Sequence, residues 1–233
     1  MIKITAIATG SSGNAYRVTD GKTSLLLECG INYRDIQMAF GFRMSEIAGC
    51  LVTHEHKDHC KSINEVMRAG IDVYTSQGTR KALGIENHRI KTVEAKKSFR
   101  LGTWSILPFD VQHDVSEPLG FLLANEEGER LLFATDTYYI KYKFNNLTHI
   151  MIECNYSQEI LNRNIAEGRV PHIMKKRLMR SHFSIENVKD FLLANDLKKV
   201  QEIWLLHLSD SNSDEEMFKR KIMELTGKLV YVP

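Results

Sequence analysis

The chain has 233 residues, 43% of them hydrophobic and 26% charged, which is enough for one large domain or two small ones with a core that needs no disulfides. Its net charge of +2 is too near balance to imply a nucleic-acid partner by itself. The four cysteines, Cys29, Cys50, Cys60 and Cys154, lack C-x-x-C spacing, which excludes a disulfide framework and reads as isolated thiols in a reducing compartment.

In chain order, Ile2–Ala8, Ala15–Thr19 and Ser24–Glu28 read as short strands, with Gly10-Ser11-Ser12-Gly13-Asn14 as a tight loop between the first two. A helix is expected over Tyr33–Phe40, then a short apolar strand over Cys50–Thr53. Lys61–Ala69 has helical spacing and Gly70 stops it. Ile71–Thr75, Trp104–Phe109, Leu119–Ala124, Leu131–Thr135 and His149–Glu153 are further strands, and Glu126-Glu127-Gly128 is a hairpin turn. Helices are expected over Gln158–Asn164, Ile185–Ala194 and Asp214–Leu225, and strands over Ile203–Leu206 and Leu229–Val232. Strands with helices interspersed in both halves predict an α/β layered architecture, sheets facing each other and helices outside. The first eight residues lack the apolar core of a signal peptide, and no apolar run approaches membrane-spanning length. The expected location is therefore the cytoplasm, without a membrane partner.

The densest chemistry lies in Thr53-His54-Glu55-His56-Lys57-Asp58-His59, which gathers three of the nine histidines beside carboxylates. Neutral imidazole and carboxylate suit zinc and similar divalent ions, and a cluster this dense is hard to bury without one. Cys60 follows directly and reads as a packed thiol, with a metal role as the alternative. Three more candidates each close an apolar strand or follow it: His113, Asp136 and His207. A strand exit aims a ligand from a rigid support.

In this order these residues resemble the metallo-β-lactamase superfamily, whose signature is H-x-H-x-D-H followed by a distant His, Asp and His. The resemblance runs from Thr9-Gly-Ser-Ser-Gly-Asn14 to the strand before His207. It implies one domain over residues 1–233, a four-layer αβ/βα sandwich with two divalent metal ions at one edge. Residue by residue, His54, His56 and His113 match the ligands of the first metal. Asp58, His59 and His207 match those of the second, and Asp136 matches the bridging carboxylate. Zinc is the expected metal, and manganese or iron also suits the donor set. One departure is visible: the family has Asp before its first glycine turn, where this chain has Leu27-Glu28-Cys29-Gly30. That residue supports the metal site from behind the ligands, so Glu28 does so from a longer arm or the support is rearranged.

Four local features bear on the branch. In the Gly10–Asn14 loop, Ser11, Ser12 and Asn14 are candidates to bind phosphate oxygens, against the alternative of an ordinary hairpin turn. Glu153 and His182 resemble the carboxylate and imidazole that face the scissile phosphate in phosphodiester-cleaving members. For His182 the alternative is a polar residue just ahead of a helix that Ser184 caps. Lys175, Lys176, Arg177 and Arg180 form a basic segment without an acid, and Tyr138–Lys143 interleaves three tyrosines with Lys141 and Lys143. Basic side chains contact phosphates and aromatic rings stack on unpaired bases, though a charge run is as often a solvated helix face. Taken together with His113-Asp-x-x-Glu-Pro-Leu-Gly120 and His207-Leu-Ser209, these features look like a compact bacterial and phage branch that includes a 5′→3′ DNA exonuclease. Where that branch has Gly-His-Leu-Ser-Asn, this chain has Ser181-His-Phe-Ser-Ile185, which leaves the substrate open.

The resemblance implies a dinuclear nuclease or phosphodiesterase acting on nucleic acid, DNA over RNA, by attack of a metal-bridging hydroxide on phosphorus. Asp58, His182 and Glu153 are its catalytic candidates. The rivals are a small-molecule thioester or lactone hydrolase with the same ligands, and a non-catalytic nucleic-acid-binding module. Native metal, cleavage polarity and oligomeric state are open at this level.

Overall fold

Regular alternation of apolar and turn-forming stretches gives thirteen strands and eight α-helices in the computed structural model, which describes residues 1–233. The chain divides into two units, Met1–Asp110 with Val115–Glu129, and Val111–Asp114 with Arg130–Pro233.

The first unit holds β1 (Lys3–Ala8), β2 (Ala15–Thr19), β3 (Ser24–Leu27), α1 (Tyr33–Ala39), β4 (Ile47–Leu51), α2 (Lys57–Cys60), α3 (Ile63–Arg68), β5 (Val73–Thr75), α4 (Gln77–Leu83), β6 (Ile90–Thr92), β7 (Phe99–Leu101), β8 (Trp104–Asp110) and β9 (Leu119–Ala124). Strands β1 to β6 form one sheet in sequence order, antiparallel from β1 to β3 and parallel from β3 to β6. Ile36 and Phe40, Val66 and Met67, and Cys50, Val52 and Val73 make one buried cluster with Leu26. Strands β7 to β9 form an antiparallel meander. It packs on the first sheet through Tyr74 stacked on Phe99 (centroids 5.0 Å apart) and the Trp104 indole N–H donating to the Thr23 carbonyl at 3.2 Å.

The second unit holds β10 (Arg130–Ala134), β11 (His149–Glu153), α5 (Gln158–Ala166), α6 (His172–Ser181), α7 (Ile185–Leu193), β12 (Glu202–Leu206), α8 (Glu215–Thr226) and β13 (Leu229–Tyr231). Its strands run parallel in the order β13-β12-β11-β10. Every residue of β11 is buried, as expected of a central parallel strand covered on both faces. Helix α7 starts where Ser184 Oγ accepts from the Asn187 N–H, so Ser184 is the cap that the sequence suggests.

The strands expected at Ala15–Thr19, Leu119–Ala124 and His149–Glu153 have those bounds. Strand β4 instead begins at Ile47 and ends at Leu51. Gly49 weakens its strand signal, yet a larger residue would force its neighbours to move: a Cβ would lie 2.7 Å from Leu101 Cδ2 and 2.9 Å from the Tyr74 ring. Helices α2, α4 and α6 and strands β6 and β7 were not expected. No helix is long and apolar enough to cross a membrane.

Candidate metal centre

In the first unit, β4 delivers the chain to Thr53 and His54, and the short helix α2 then turns Asp58 and His59 back towards them. His54 Nε2 lies 3.1 Å from His56 Nδ1, and the His54 and His59 rings are 4.2 Å apart between centroids. Asp58 Oδ2 lies 3.3 Å from His59 Nε2. His54 and His59 are buried. Glu55 faces elsewhere, accepting from the Ser116 N–H at 3.1 Å and the Thr79 hydroxyl at 3.2 Å. Cys60 Sγ donates to the carbonyls of Glu55 and His56 at 3.2 and 3.1 Å, and burial pushes its thiol up to about 12. Burial and these two bonds make Cys60 a packed thiol.

Two segments strap this cluster from behind. The Asn14 N–H donates to the Asp58 carbonyl at 2.7 Å, and its side-chain Nδ2 lies 3.2 Å from that carbonyl and 3.3 Å from His59 Nε2. Gly30 presses so close that a Cβ would sit 1.6 Å from the Asp58 carbonyl oxygen, which explains the glycine. Glu28 is fully buried, and both its oxygens lie 3.3 Å from the Thr53 N–H. Its Oε1 also lies 3.6 Å from His59 Nδ1. Burial raises the Glu28 carboxyl, against the opposing pull of His59 and Thr53. The longer arm of Glu28 thus reaches to the far side of His59 from Asp58 and Asn14.

Asn14 is buried with its amide committed to Gly10, Asp58 and His59, whereas Ser11 and Ser12 are exposed. Those serines, with Lys57, Asp58 and Lys61, line a groove of about 800 Å³.

In the second unit, His113 Nδ1 lies 2.9 Å from the Ser181 carbonyl and must donate to it, which leaves Nε2 with the lone pair. That nitrogen is 3.8 Å from Asp136 Oδ2. Burial lowers the His113 pKa despite Asp136 and Glu153, so its imidazole is held neutral, the form that binds metal. Asp136, Glu153, His182 and His207 each bring one ligand atom within 4.8 Å of the others. Glu153 Oε1 accepts from His182 Nδ1 at 2.5 Å, while Oε2 accepts from the N–H groups of Thr137 (2.9 Å) and Phe183 (3.1 Å). Burial lowers the His182 pKa, but the Glu153 carboxylate outweighs it and the net shift is upwards. Glu153 is pushed up by burial and down by His182, with a net shift downwards. The two form an ion pair, and the His182 ring stacks on His207 at 5.5 Å.

Two supporting residues escaped the sequence reading. Asn155 Nδ2 donates to the His207 carbonyl at 2.8 Å and lies 3.1 Å from His207 Nδ1. Thr137 adds a hydroxyl that accepts from the Gln112 N–H at 3.0 Å to the N–H it gives Glu153. Asn155 stands two residues beyond Glu153, and that same-face spacing was the available signal. The basic residues Lys176, Arg177 and Arg180 lie exposed on α6 with Lys175 half-buried. The His182 N–H closes that helix on the Leu178 carbonyl at 2.9 Å.

The donors in each unit, imidazoles and carboxylates on buried supports, fit divalent ions: ligands about 2.0–2.2 Å from one ion sit within the spacings found here. Comparison with known proteins agrees. A family profile described as "Beta-lactamase superfamily domain" matches residues 23–186. The exodeoxyribonuclease YycJ of Bacillus anthracis is 25% identical across 96% of this chain and 89% of its own length. The exodeoxyribonuclease WalJ of Streptococcus pneumoniae is 25% identical across 92% of this chain and 84% of its own. Among solved structures, the metallo-beta-lactamase fold protein YhfI of Bacillus subtilis superimposes with a TM-score of 0.76, at 15% identity, over 100% of this chain and 95% of its own. That likeness bears out the expected αβ/βα sandwich.

Proposed function

The chain belongs to the beta-lactamase superfamily and is a metal-dependent hydrolase, and on that premise we propose that it is a dinuclear phosphodiesterase that degrades nucleic acid, DNA in preference to RNA. The observation that carries the reading is the Glu153–His182 pair, joined at 2.5 Å beside Asp136 and His207. A phosphodiester develops charge on its oxygens and expels an alkoxide, a poor leaving group that a protonated imidazole can protonate, whereas a thiolate departs without that help. The names of the two exodeoxyribonuclease relatives support the same choice.

In this proposal His54, His56 and His113 would hold one ion and Asp58, His59 and His207 the other, with Asp136 as a further ligand, zinc being favoured and manganese or iron also suited to the donors. Bound there, divalent ions make water a nucleophile at neutral pH and offset charge on phosphate oxygens. His182 gives its Nδ1 proton to the bond with Glu153 and presents Nε2–H. That proton first bonds a non-bridging phosphate oxygen and then passes to the departing oxygen. Glu153 keeps the imidazole cationic and fixes its ring plane. Ser11, Ser12, Lys57 and Lys61 in the first unit, and Lys175, Lys176, Arg177 and Arg180 in the second, are the candidate contacts to strand phosphates. Asn14 acts through the Asp58–His59 segment that it anchors. Residues 1–233 act as one catalytic domain, in the cytoplasm.

The test incubates metal-loaded protein with end-labelled duplex DNA, single-stranded DNA and RNA, beside a glutathione thioester. The expected result is DNA shortening that His182→Ala and Asp58→Ala each abolish. Thioester turnover that survives His182→Ala, with every polynucleotide intact, would establish the small-molecule reading instead. Strand binding without turnover of any substrate would leave a binding module.

A further inference from the structure

A pocket of about 340 Å³ adjoins the catalytic half-site of the second unit, and nothing above assigns it a role. Its walls are Tyr138, Tyr142, Phe183 and Phe191, with Asn187 and Asp190 at its polar edge. We infer, on the nuclease reading proposed above, that this pocket receives one unpaired nucleobase of the bound strand, stacked against Tyr138 and Tyr142.

Continuity with the site comes first. Tyr138 follows Asp136 by two residues, so at most about 7 Å of chain separates pocket wall from ligand. Phe183 follows His182 directly, and the Tyr138 N–H donates to the carbonyl of Gln112, the neighbour of His113, at 3.0 Å. A base in the pocket therefore belongs to a nucleotide at or next to the scissile phosphate.

The chemistry of the lining selects the ligand. The volume is at the low end of the roughly 300–1,000 Å³ typical of ligand pockets, which suits one planar ring with its sugar and not an extended chain. Lys141 and Lys143 are exposed on the same segment, and Lys141 Nζ lies 5.2 Å from the Tyr142 ring centroid. Both lysines also line the pocket, and basic groups beside aromatic faces match a base attached to a phosphate backbone. Asp190 turns away a bare phosphate but accepts from exocyclic amines and ring N–H groups, and the Asn187 amide adds a second polar edge.

The segment is built to be held open. Fourteen residues separate β10 from β11, with no helix or strand among them. Connections of that length are uncommon and usually functional. Here the Phe144 N–H donates to Asn195 Oδ1 at 2.7 Å, the Thr137 hydroxyl to the Tyr139 carbonyl at 3.0 Å, and Asn187 Nδ2 to the Tyr138 carbonyl at 3.5 Å. Phe183 and Phe191 are buried, so the cavity floor is fixed before any ligand arrives.

The experiment measures binding and cleavage of single-stranded oligonucleotides by metal-loaded protein, with one abasic position moved along the strand. At one position near the scissile bond, removal of the base should weaken binding about 5- to 150-fold, the range of one base–aromatic stack. Tyr138→Ala or Tyr142→Ala should erase that position's dependence, and Tyr→Phe at either site should restore it. Equal binding of intact and abasic strands at every position, with cleavage proceeding, overturns the pocket and leaves the nuclease reading intact. A base-dependent affinity without cleavage of any strand does the reverse. The scan of the unaltered protein stands even where a tyrosine variant fails to fold.

Discussion

Glu153→Gln isolates what the buried carboxylate does. Three donors converge on it: the two backbone N–H groups of Thr137 and Phe183 on Oε2, and His182 Nδ1 on Oε1. Glutamine keeps one acceptor oxygen, which the two fixed backbone groups claim. Its NH₂ then faces His182 and cannot accept from Nδ1–H. The variant loses one charge-assisted bond, about 1.5–3 kcal/mol, and at about 2–4 °C per kcal/mol for a chain of this size the metal-free protein should melt roughly 3–12 °C lower. The loss depends on pH. The folded pKa of His182 is raised, so its share of the stability is full below the unfolded value of about 6.5 and lost as pH rises through the raised value. That of Glu153 is lowered, so its share is present above about 4.3 and lost as pH falls through the lowered value. The melting difference should therefore peak at about pH 5–6 and shrink on both sides. Thermal unfolding across pH, with an NMR titration of the His182 ring, measures it. A difference constant with pH, or a His182 pKa that does not fall in the variant, refutes the ion pair. In a His182→Ala background the Gln substitution should cost clearly less.

Gly30→Ala should lower stability by about 1–3 kcal/mol or more and weaken metal binding with it, because the new methyl would overlap the Asp58 carbonyl that Asn14 also holds. An unchanged melting temperature together with unchanged metal content would contradict that packing. Glu28→Gln should cost about 10–100-fold in affinity for the ion next to His59, read by titration against a competing chelator. Full retention of affinity would make Glu28 a packing residue only. Replacing Lys175, Lys176, Arg177 and Arg180 together by alanine should weaken strand binding and lower the slope of log K against log salt by up to about 3, near 0.7 per single-strand phosphate contact. A slope equal to that of the unaltered protein removes α6 from the strand path.

The parts of the fold legible in the sequence are those with a burial pattern. β11 is apolar throughout after His149 and carries Glu153 at its end, and its bounds were plain. Helix α6 is the opposite case. Only Ser181 of its ten residues is buried, so no apolar stripe marks it, and it read as a charged segment. Helix α2 has four residues, and β6 and β7 three each, too few for either periodicity to register. At the site, the ligand candidates were legible because imidazole and carboxylate are rare in such density. The support was not: the Glu153 contacts from Thr137 and Phe183 are backbone donors, which any residue except proline supplies.

The same backbone conformation recurs at candidate site residues of each unit. Glu28, Asp136 and His207 each stand just beyond a strand, β3, β10 and β12, and each has a left-handed φ, of 59°, 45° and 55°. Such a conformation costs a non-glycine residue about 1–3 kcal/mol and persists only where its surroundings impose it. Each is imposed from within its own unit. The Glu28 N–H is held by the Leu51 carbonyl at 2.9 Å, Asp136 Oδ1 accepts from the Thr135 hydroxyl at 3.0 Å, and the His207 carbonyl accepts from Asn155 at 2.8 Å. The left-handed step turns a side chain that would continue along its strand towards the strand end. Protein hydrogen bonds thus help to maintain the shape that presents these carboxylates and this imidazole. Ions entering such a site lose little free energy to ordering their ligands. Aspartate tolerates this conformation better than glutamate, so Glu28 bears more strain than an aspartate in its place would. Its buried contacts to Thr53 and His59 are what hold it there.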